Sequence, residues 1–417
     1  KNFSPRIKVL LTLDEKSYKG GKNGDFHPSS WYQEYDGGRM FYTAGGHTEA
    51  SYNEPLFLKH LLSGILYTSS KVDLDPKKAL PDDEFFEVTT LAEGLHDPIE
   101  IAVTHDEQVF ILERKGIIKL FSPKTGTVKT VHKLNAVSKG NNDTYAKECG
   151  GLGIALDPSF SKNHFIYVYY SPKEKSCNRL SRFTWKDGKF QAEKMIIEVN
   201  TDRYKQTCHE GGSVAFGKNR MLYLSTGDNT NPFESGGYAP IDERQGRKEF
   251  DAQRSAGNSN DLRGSILRIK ISENGTYSIP KGNLYKKGTA KTRPEIFVKG
   301  VRNPYRISVD PKFGHVYWGD VGPDAANDSS RGTRGYDEFN QAKTASYFGW
   351  PYFRGNQPYK DYDFSANKTG ASFAKKLRND SPNNSGLATL PPATDSMIWY
   401  PYSDSAEFPE LGNGGRN

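Results

Sequence analysis

Gly150-Gly151-Leu152-Gly153-Ile154-Ala155-Leu156-Asp157-Pro158, followed by Phe165-Ile166-Tyr167-Val168-Tyr169, is the stretch that decides the fold. A short apolar run, an Asp-Pro turn and a run of β-branched and aromatic residues read as strand, turn, strand. The unit recurs. Ile101-Ala102-Val103 leads to Val109-Phe110-Ile111-Leu112, and Val214-Ala215-Phe216-Gly217 leads to Met221-Leu222-Tyr223-Leu224. Ile307-Ser308-Val309-Asp310-Pro311 leads to Val316-Tyr317-Trp318. The starts at 101, 154, 214 and 307 are 53, 60 and 93 residues apart, and the longest gap holds a loop-rich insertion over 228–262. Hairpins repeated at roughly 50-residue spacing mark a β-propeller, with antiparallel blades around a channel. The fold expected from the repeats is mainly β, a propeller, and six blades is a common number for such a ring. Four clear units fall short of six, so the ring is expected to need sequence beyond Asn417.

Composition agrees with a β-rich, loop-rich chain. Of 417 residues only 35% are apolar, while Gly (41), Pro (23), Tyr (24) and Phe (23) are plentiful. No stretch approaches the run of about 18 apolar residues that a transmembrane helix needs. Lys plus Arg number 57 against 50 Asp plus Glu, a surplus of +7 spread through mixed-sign segments. That argues against nucleic acid, which needs a concentrated basic face, and leaves room for a local basic pocket that takes a small polyanion. Cys149, Cys177 and Cys208 form no CxxC pair, which argues against structural zinc. An odd count permits one disulfide and one thiol. Lys1 to Arg6 lack an apolar signal core, so either a leader has been removed or the chain belongs to a longer protein.

Ahead of the repeats, residues 7–13 and 38–44 read as strands, and Asn53-Glu54-Pro55 as a helix start. Leu58, Leu61, Leu62, Ile65 and Leu66 then fall on one face, which is expected to pack. We read residues 1–70 as the end of an α/β domain, 71–86 as a polar linker and 87–417 as the propeller.

The candidate chemistry sits where strands begin. Cys208-His209-Glu210-Gly211-Gly212-Ser213 enters the third repeat. A histidine at a channel mouth serves as a general base; its bland alternative is a hydrogen-bonded loop residue. Glu148-Cys149-Gly150-Gly151 holds the matching place in the second repeat, and Val301-Arg302-Asn303-Pro304 in the fourth. A guanidinium beside an amide suits a carboxylate-bearing ligand. Polar groups at one entry position in three successive repeats would converge on one end of the axis. Gly322 and Pro323 offer carbonyls to a hard cation, and Tyr336-Asp337-Glu338 offers carboxylates; each also reads as a turn or an ion pair. No P-loop, GxGxxG, HExxH or GxSxG motif is present.

From about residue 86 onward the sequence resembles the soluble pyrroloquinoline-quinone-dependent sugar dehydrogenases, the glucose/sorbosone dehydrogenase family. Ile111-Leu112-Glu113-Arg114, Gly150 to Pro158, Cys208 to Gly212, Val301 to Pro304 and Tyr347-Phe348-Gly349-Trp350-Pro351 carry the match, in the family's order. The resemblance implies a six-bladed propeller that oxidises a sugar or polyol with pyrroloquinoline quinone and calcium and passes electrons to an acceptor. It implies His209 as the base, Arg302 and Asn303 as cofactor contacts, and Glu148 near the quinone where the glucose enzymes carry glutamine. It implies Gly322 and Pro323 as calcium ligands, with Asp337 and Glu338 at a second calcium. If Glu148 and His209 share a pocket, a Cys149–Cys208 disulfide is expected, leaving Cys177 as a thiol.

His27-Pro28, Trp31-Tyr32, Glu34 to Arg39 and Gly45-Gly46-His47-Thr48 resemble the C-terminal part of ThuA-like domains, relatives of the class I glutamine-amidotransferase fold. The two resemblances together imply a location outside the cytoplasm: secreted, periplasmic or on a bacterial surface. A second reading is a non-catalytic cell-surface propeller that binds glycans or partner proteins, since folds are reused.

Overall fold

The structure, a computed structural model, describes residues 7–24, 26–35, 38–69, 88–137, 148–203, 208–354, 357–374 and 377–406. The linker expected at 71–86 lies outside the described residues. The chain divides into two compact units, Lys1–Thr90 and Leu91–Asn417.

The first unit pairs β1 (Lys8–Thr12), β2 (Pro28–Tyr35) and β3 (Gly38–Thr43) in one antiparallel sheet, and helix α1 (Pro55–Ser69) packs on β3. The first and third strands and the helix match the sequence reading; β2 was not foreseen. A small residue marks the side of α1 that meets the sheet. Gly64 is its buried residue, and a Cβ there would meet the Phe41 ring at 2.3 Å. The helix therefore lies closest to the sheet at Gly64, and this turns Leu58, Leu62, Ile65 and Leu66 outward, at 45–58% exposure. Among the described residues no helix is long and apolar enough to cross a membrane.

The second unit is mainly β. Its first sheet runs β4 (Pro98–Val103), β5 (Val109–Glu113), β6 (Ile117–Ser122), β7 (Thr127–Lys133). The second runs β8 (Gly151–Leu156), β9 (Phe165–Tyr170), β10 (Cys177–Lys186), β11 (Lys189–Asn200). The third joins β12 (Gly211–Phe216), β13 (Met221–Thr226), β14 (Ser265–Ile271), β15 (Tyr277–Ser278) and β16 (Ile296–Lys299), with β20 (Ser346–Tyr347) added in parallel. The fourth contains β17 (Pro304–Val309), β18 (Val316–Asp320), β19 (Tyr336–Ala342) and the strand Ile398–Pro401. Each repeat found in the sequence is the hairpin that opens one sheet. The first strands β4, β8, β12 and β17 neighbour one another in turn, as in propeller blades.

Period-two alternation explains why these strands are apolar on both faces. In β9, Ile166, Val168 and Tyr170 join a core with Phe110 and Leu112 of the first sheet. Tyr167 and Tyr169 point the other way, into a core with Leu222 and Leu224 of the third sheet. Tyr223 and Ile266 in turn pack against Val316 and Trp318 of the fourth. Each such side chain contributes about 1.5–3 kcal/mol on burial, so the sheets hold together face to face.

Glu100 ties the first strands of the four sheets together. Its carboxylate accepts the Ile154 N–H and the Ser213 hydroxyl, both at 2.9 Å, and Arg306 Nε lies 3.9 Å away. That links β4 to β8, β12 and β17.

Candidate functional site

His209 stands two residues before β12, with a left-handed backbone (φ 68°) and a buried ring. Left-handed non-glycine residues cost on the order of 1 kcal/mol or more and persist where surroundings fix them. Two contacts do so. Glu148 Oε2 accepts the backbone N–H groups of His209 (2.8 Å) and Glu210 (3.1 Å). Gly227 lies against the His209 carbonyl so closely that a Cβ would come within 1.9 Å of its oxygen.

The His209 ring reaches Asp228 on the loop after β13, with Nδ1 to Oδ1 at 2.7 Å. The other Asp228 oxygen accepts Trp350 Nε1–H, also at 2.7 Å. Burial pushes the Asp228 carboxyl up, but His209, Arg302 and the Trp350 N–H outweigh it and hold the group below the usual aspartate range. A charged Asp228 accepts the proton on Nδ1, which assigns the lone pair of the neutral ring to Nε2. Nε2 makes no hydrogen bond to a described residue.

Asp320 organises the fourth repeat's entry. Its two oxygens accept the N–H groups of Arg302 (3.0 Å) and Asn303 (2.6 Å). Asn303 Oδ1 accepts Gly211 N–H at 3.1 Å, and its amide nitrogen lies 3.5 Å from Glu148 Oε2. Arg302 donates from Nη1 to the Val321 carbonyl at 2.8 Å and lies 5.8 Å from the Trp350 ring centre, while its buried Nε has no hydrogen-bond partner among the described residues. The structure thus brings Glu148, His209, Arg302 and Asn303 into one connected network.

Gly322, Pro323 and Glu338 line a small cavity with Arg302, Asp320 and Trp350. Its volume is about 20 Å³, room for one water or one ion. Burial, then the Glu338 charge, pushes Asp320 up to about 8 against the N–H groups it accepts. Asp337 is adjacent to Glu338 in β19, so the two side chains leave opposite faces of the strand. Asp337 Oδ1 accepts Gly322 N–H at 2.7 Å. No three His, Cys, Asp or Glu side chains converge as a metal site among the described residues.

The expected Cys149–Cys208 disulfide is not formed: Cys149, Cys177 and Cys208 are all buried thiols. Glu148 and His209 do meet, but through the His209 backbone, and Cys149 turns away so that its Sγ faces Glu210 Oε1 at 3.8 Å. Neighbours of a contacting pair need not themselves touch.

Three members of this network were missed in the sequence. Asp228 and Asp320 each follow a glycine at the end of their repeat's second strand, and that shared Gly-Asp was the available signal. Trp350 carried no signal for its bond to Asp228, 122 residues away.

The sequence model of the glucose/sorbosone dehydrogenase family matches residues 95–393. The chain belongs to this family. The model of the trehalose utilisation (ThuA) family matches residues 1–68. An uncharacterised protein of Synechocystis is 27% identical over 313 residues, covering 74% of this chain and 65% of that protein. Human Hedgehog-interacting protein is 26% identical over 247 residues, covering 54% of this chain and 32% of that protein. The chain therefore spans less than two thirds of the length of these relatives. A crystal structure of a glucose dehydrogenase shares the fold, with a TM-score of 0.50 at 18% identity, over 77% of this chain and 80% of that one.

Proposed function

We propose that this glucose/sorbosone dehydrogenase-family chain oxidises a hydroxyl of a sugar or polyol, with His209 as the base and pyrroloquinoline quinone and calcium as cofactors. The observation that carries the reading is the buried His209–Asp228 pair, which leaves Nε2 available to take a proton. Asp228 would hold the ring in that tautomer and stabilise its positive charge once the proton is taken.

The residues present fit the cofactors by chemistry. Arg302, with its buried unpartnered Nε, suits a carboxylate of the quinone, and Asn303 is held beside it. Gly322 and Pro323, whose backbones offer carbonyls, and Glu338, whose side chain offers a carboxylate, line an ion-sized cavity and suit a hard cation, and Asp337 accepts the Gly322 N–H. When bound, the quinone would supply the hydride acceptor.

The same reading extends to a ring of six blades, a ThuA-type α/β fold for the first unit, a separate electron acceptor and a location outside the cytoplasm, where cell-surface proteins would be available as partners. The similarity to Hedgehog-interacting protein favours a second reading, a propeller that binds a protein or glycan without catalysis.

Titration of the protein with pyrroloquinoline quinone, with and without calcium, followed by quinone absorbance, separates the two. Micromolar, calcium-dependent binding weakened by Arg302→Met supports the dehydrogenase. No binding with or without calcium supports the non-catalytic propeller.

A further inference from the structure

Arg114 follows β5 directly and is remote in sequence from every residue of the site. Its guanidinium nonetheless addresses three separate parts of the propeller unit. Nη1 donates to the Glu148 carbonyl at 2.7 Å, Nε to Asp97 Oδ2 at 2.9 Å, and Nη2 to the Tyr305 hydroxyl at 3.2 Å. Its backbone is engaged as well: its N–H donates to the Asp97 carbonyl at 3.0 Å, and its carbonyl accepts Gly151 N–H at 2.7 Å. The side chain is only 14% exposed. One residue therefore joins the first sheet to the entry of the second and to the first strand of the fourth. Only a planar fork with N–H groups in three directions does this; a lysine would serve the partners as a single point.

The Glu148 that Arg114 holds is the residue whose carboxylate cradles His209. Two successive backbone N–H groups, one from a left-handed residue, form a concavity suited to an anion, and Glu148 Oε2 fills it. We infer that Arg114 and Glu148 form a strut that sets the position of the His209 ring, so that Glu148 is a positioning residue rather than a cofactor contact and Arg114 is its support. With Arg114 gone, the Glu148 carbonyl loses its charged donor and the cradle loosens. The His209 backbone then relaxes from φ 68°, and Nδ1 is no longer held at 2.7 Å from Asp228.

The inference rests on His209 being the working base, yet its test needs no turnover. Amide hydrogen exchange is measured on the protein and on Arg114→Met and Arg114→Lys, with the His209 Nδ1 proton followed by NMR. The expected result for Arg114→Met is exchange faster by about tenfold or more at the His209 and Glu210 amides, with β9 amides unchanged and the Nδ1 proton broadened. Arg114→Lys should restore part of the protection. Unchanged exchange at those two amides, or equal acceleration throughout β8 and β9, would overturn the inference. If Arg114→Met does not fold, Asp97→Asn, at a carboxylate 61% exposed, loosens one prong of the fork. It should accelerate the same two amides selectively, by about threefold; no change overturns the inference. A selective effect in a protein that never oxidises a sugar would sink the dehydrogenase reading and leave the strut standing.

Discussion

Asp228 Oδ1 lies 2.7 Å from His209 Nδ1, and its other oxygen is held by Trp350 at the same distance. The carboxylate is fully enclosed, so both contacts act at low dielectric and neither is replaced by water. Asp228→Asn keeps the shape but offers an amide where the ring needs an acceptor with charge. The expected outcome is a fall in kcat of roughly 10²- to 10⁴-fold, with quinone affinity changed by less than about threefold. Steady-state kinetics on the quinone-loaded protein, with quinone binding measured separately, checks both parts.

Trp350→Phe leaves Asp228 Oδ2 without its donor and removes the larger ring beside Arg302. A buried charged acceptor losing one partner costs roughly 1–3 kcal/mol. Chemical denaturation should show that loss, and Trp350→Ala should exceed it because a cavity is added.

Glu210 gives a pH signature of its own. Burial raises its carboxyl to about 7, with the Asn178 and Asn229 donors opposing the rise and the Glu148 charge adding to it. Above the unfolded pKa of about 4.5 the unfolded chain gives up this proton while the folded chain keeps it until about pH 7. This group therefore lowers stability as pH rises from about 4.5 to 7, by an amount on the order of a few kcal/mol. Unfolding free energies across that window should show the slope in the parent protein and a flatter curve in Glu210→Gln.

The buried thiols predict a simple titration. Native protein should react slowly with a thiol reagent, and unfolded, unreduced protein should show all 3 cysteines. One thiol after unfolding would restore the disulfide that the sequence suggested.

Repeats carried most of the propeller reading because strands buried on both faces leave near-continuous apolar runs, as Phe165 to Tyr169 do. His209, Arg302 and Asn303 were legible because entry positions of successive repeats converge. Asp228 and Trp350 were less legible, since their meeting depends on how a loop after β13 and a segment after β20 return to the same end of the sheets. The side of α1 that meets the sheet leaves little trace in the sequence. Leucine periodicity marks apolar faces, whereas Gly64, which carries no hydrophobic signal, decides which face lies on Phe41. Alternation along β19 places Asp337 and Glu338 on opposite faces of the strand.

Proton removal from a sugar hydroxyl by His209, as proposed, can be followed in a single-turnover experiment. Protein loaded with quinone and calcium is mixed with a panel of aldoses, and quinone reduction is followed by absorbance in the parent and in His209→Ala. Reduction by at least one aldose is expected in the parent, with a rate lower by about 10³-fold or more in the variant and quinone still bound in both. Equal rates in the two proteins, or no reduction by any aldose in a parent that binds the quinone, would contradict it.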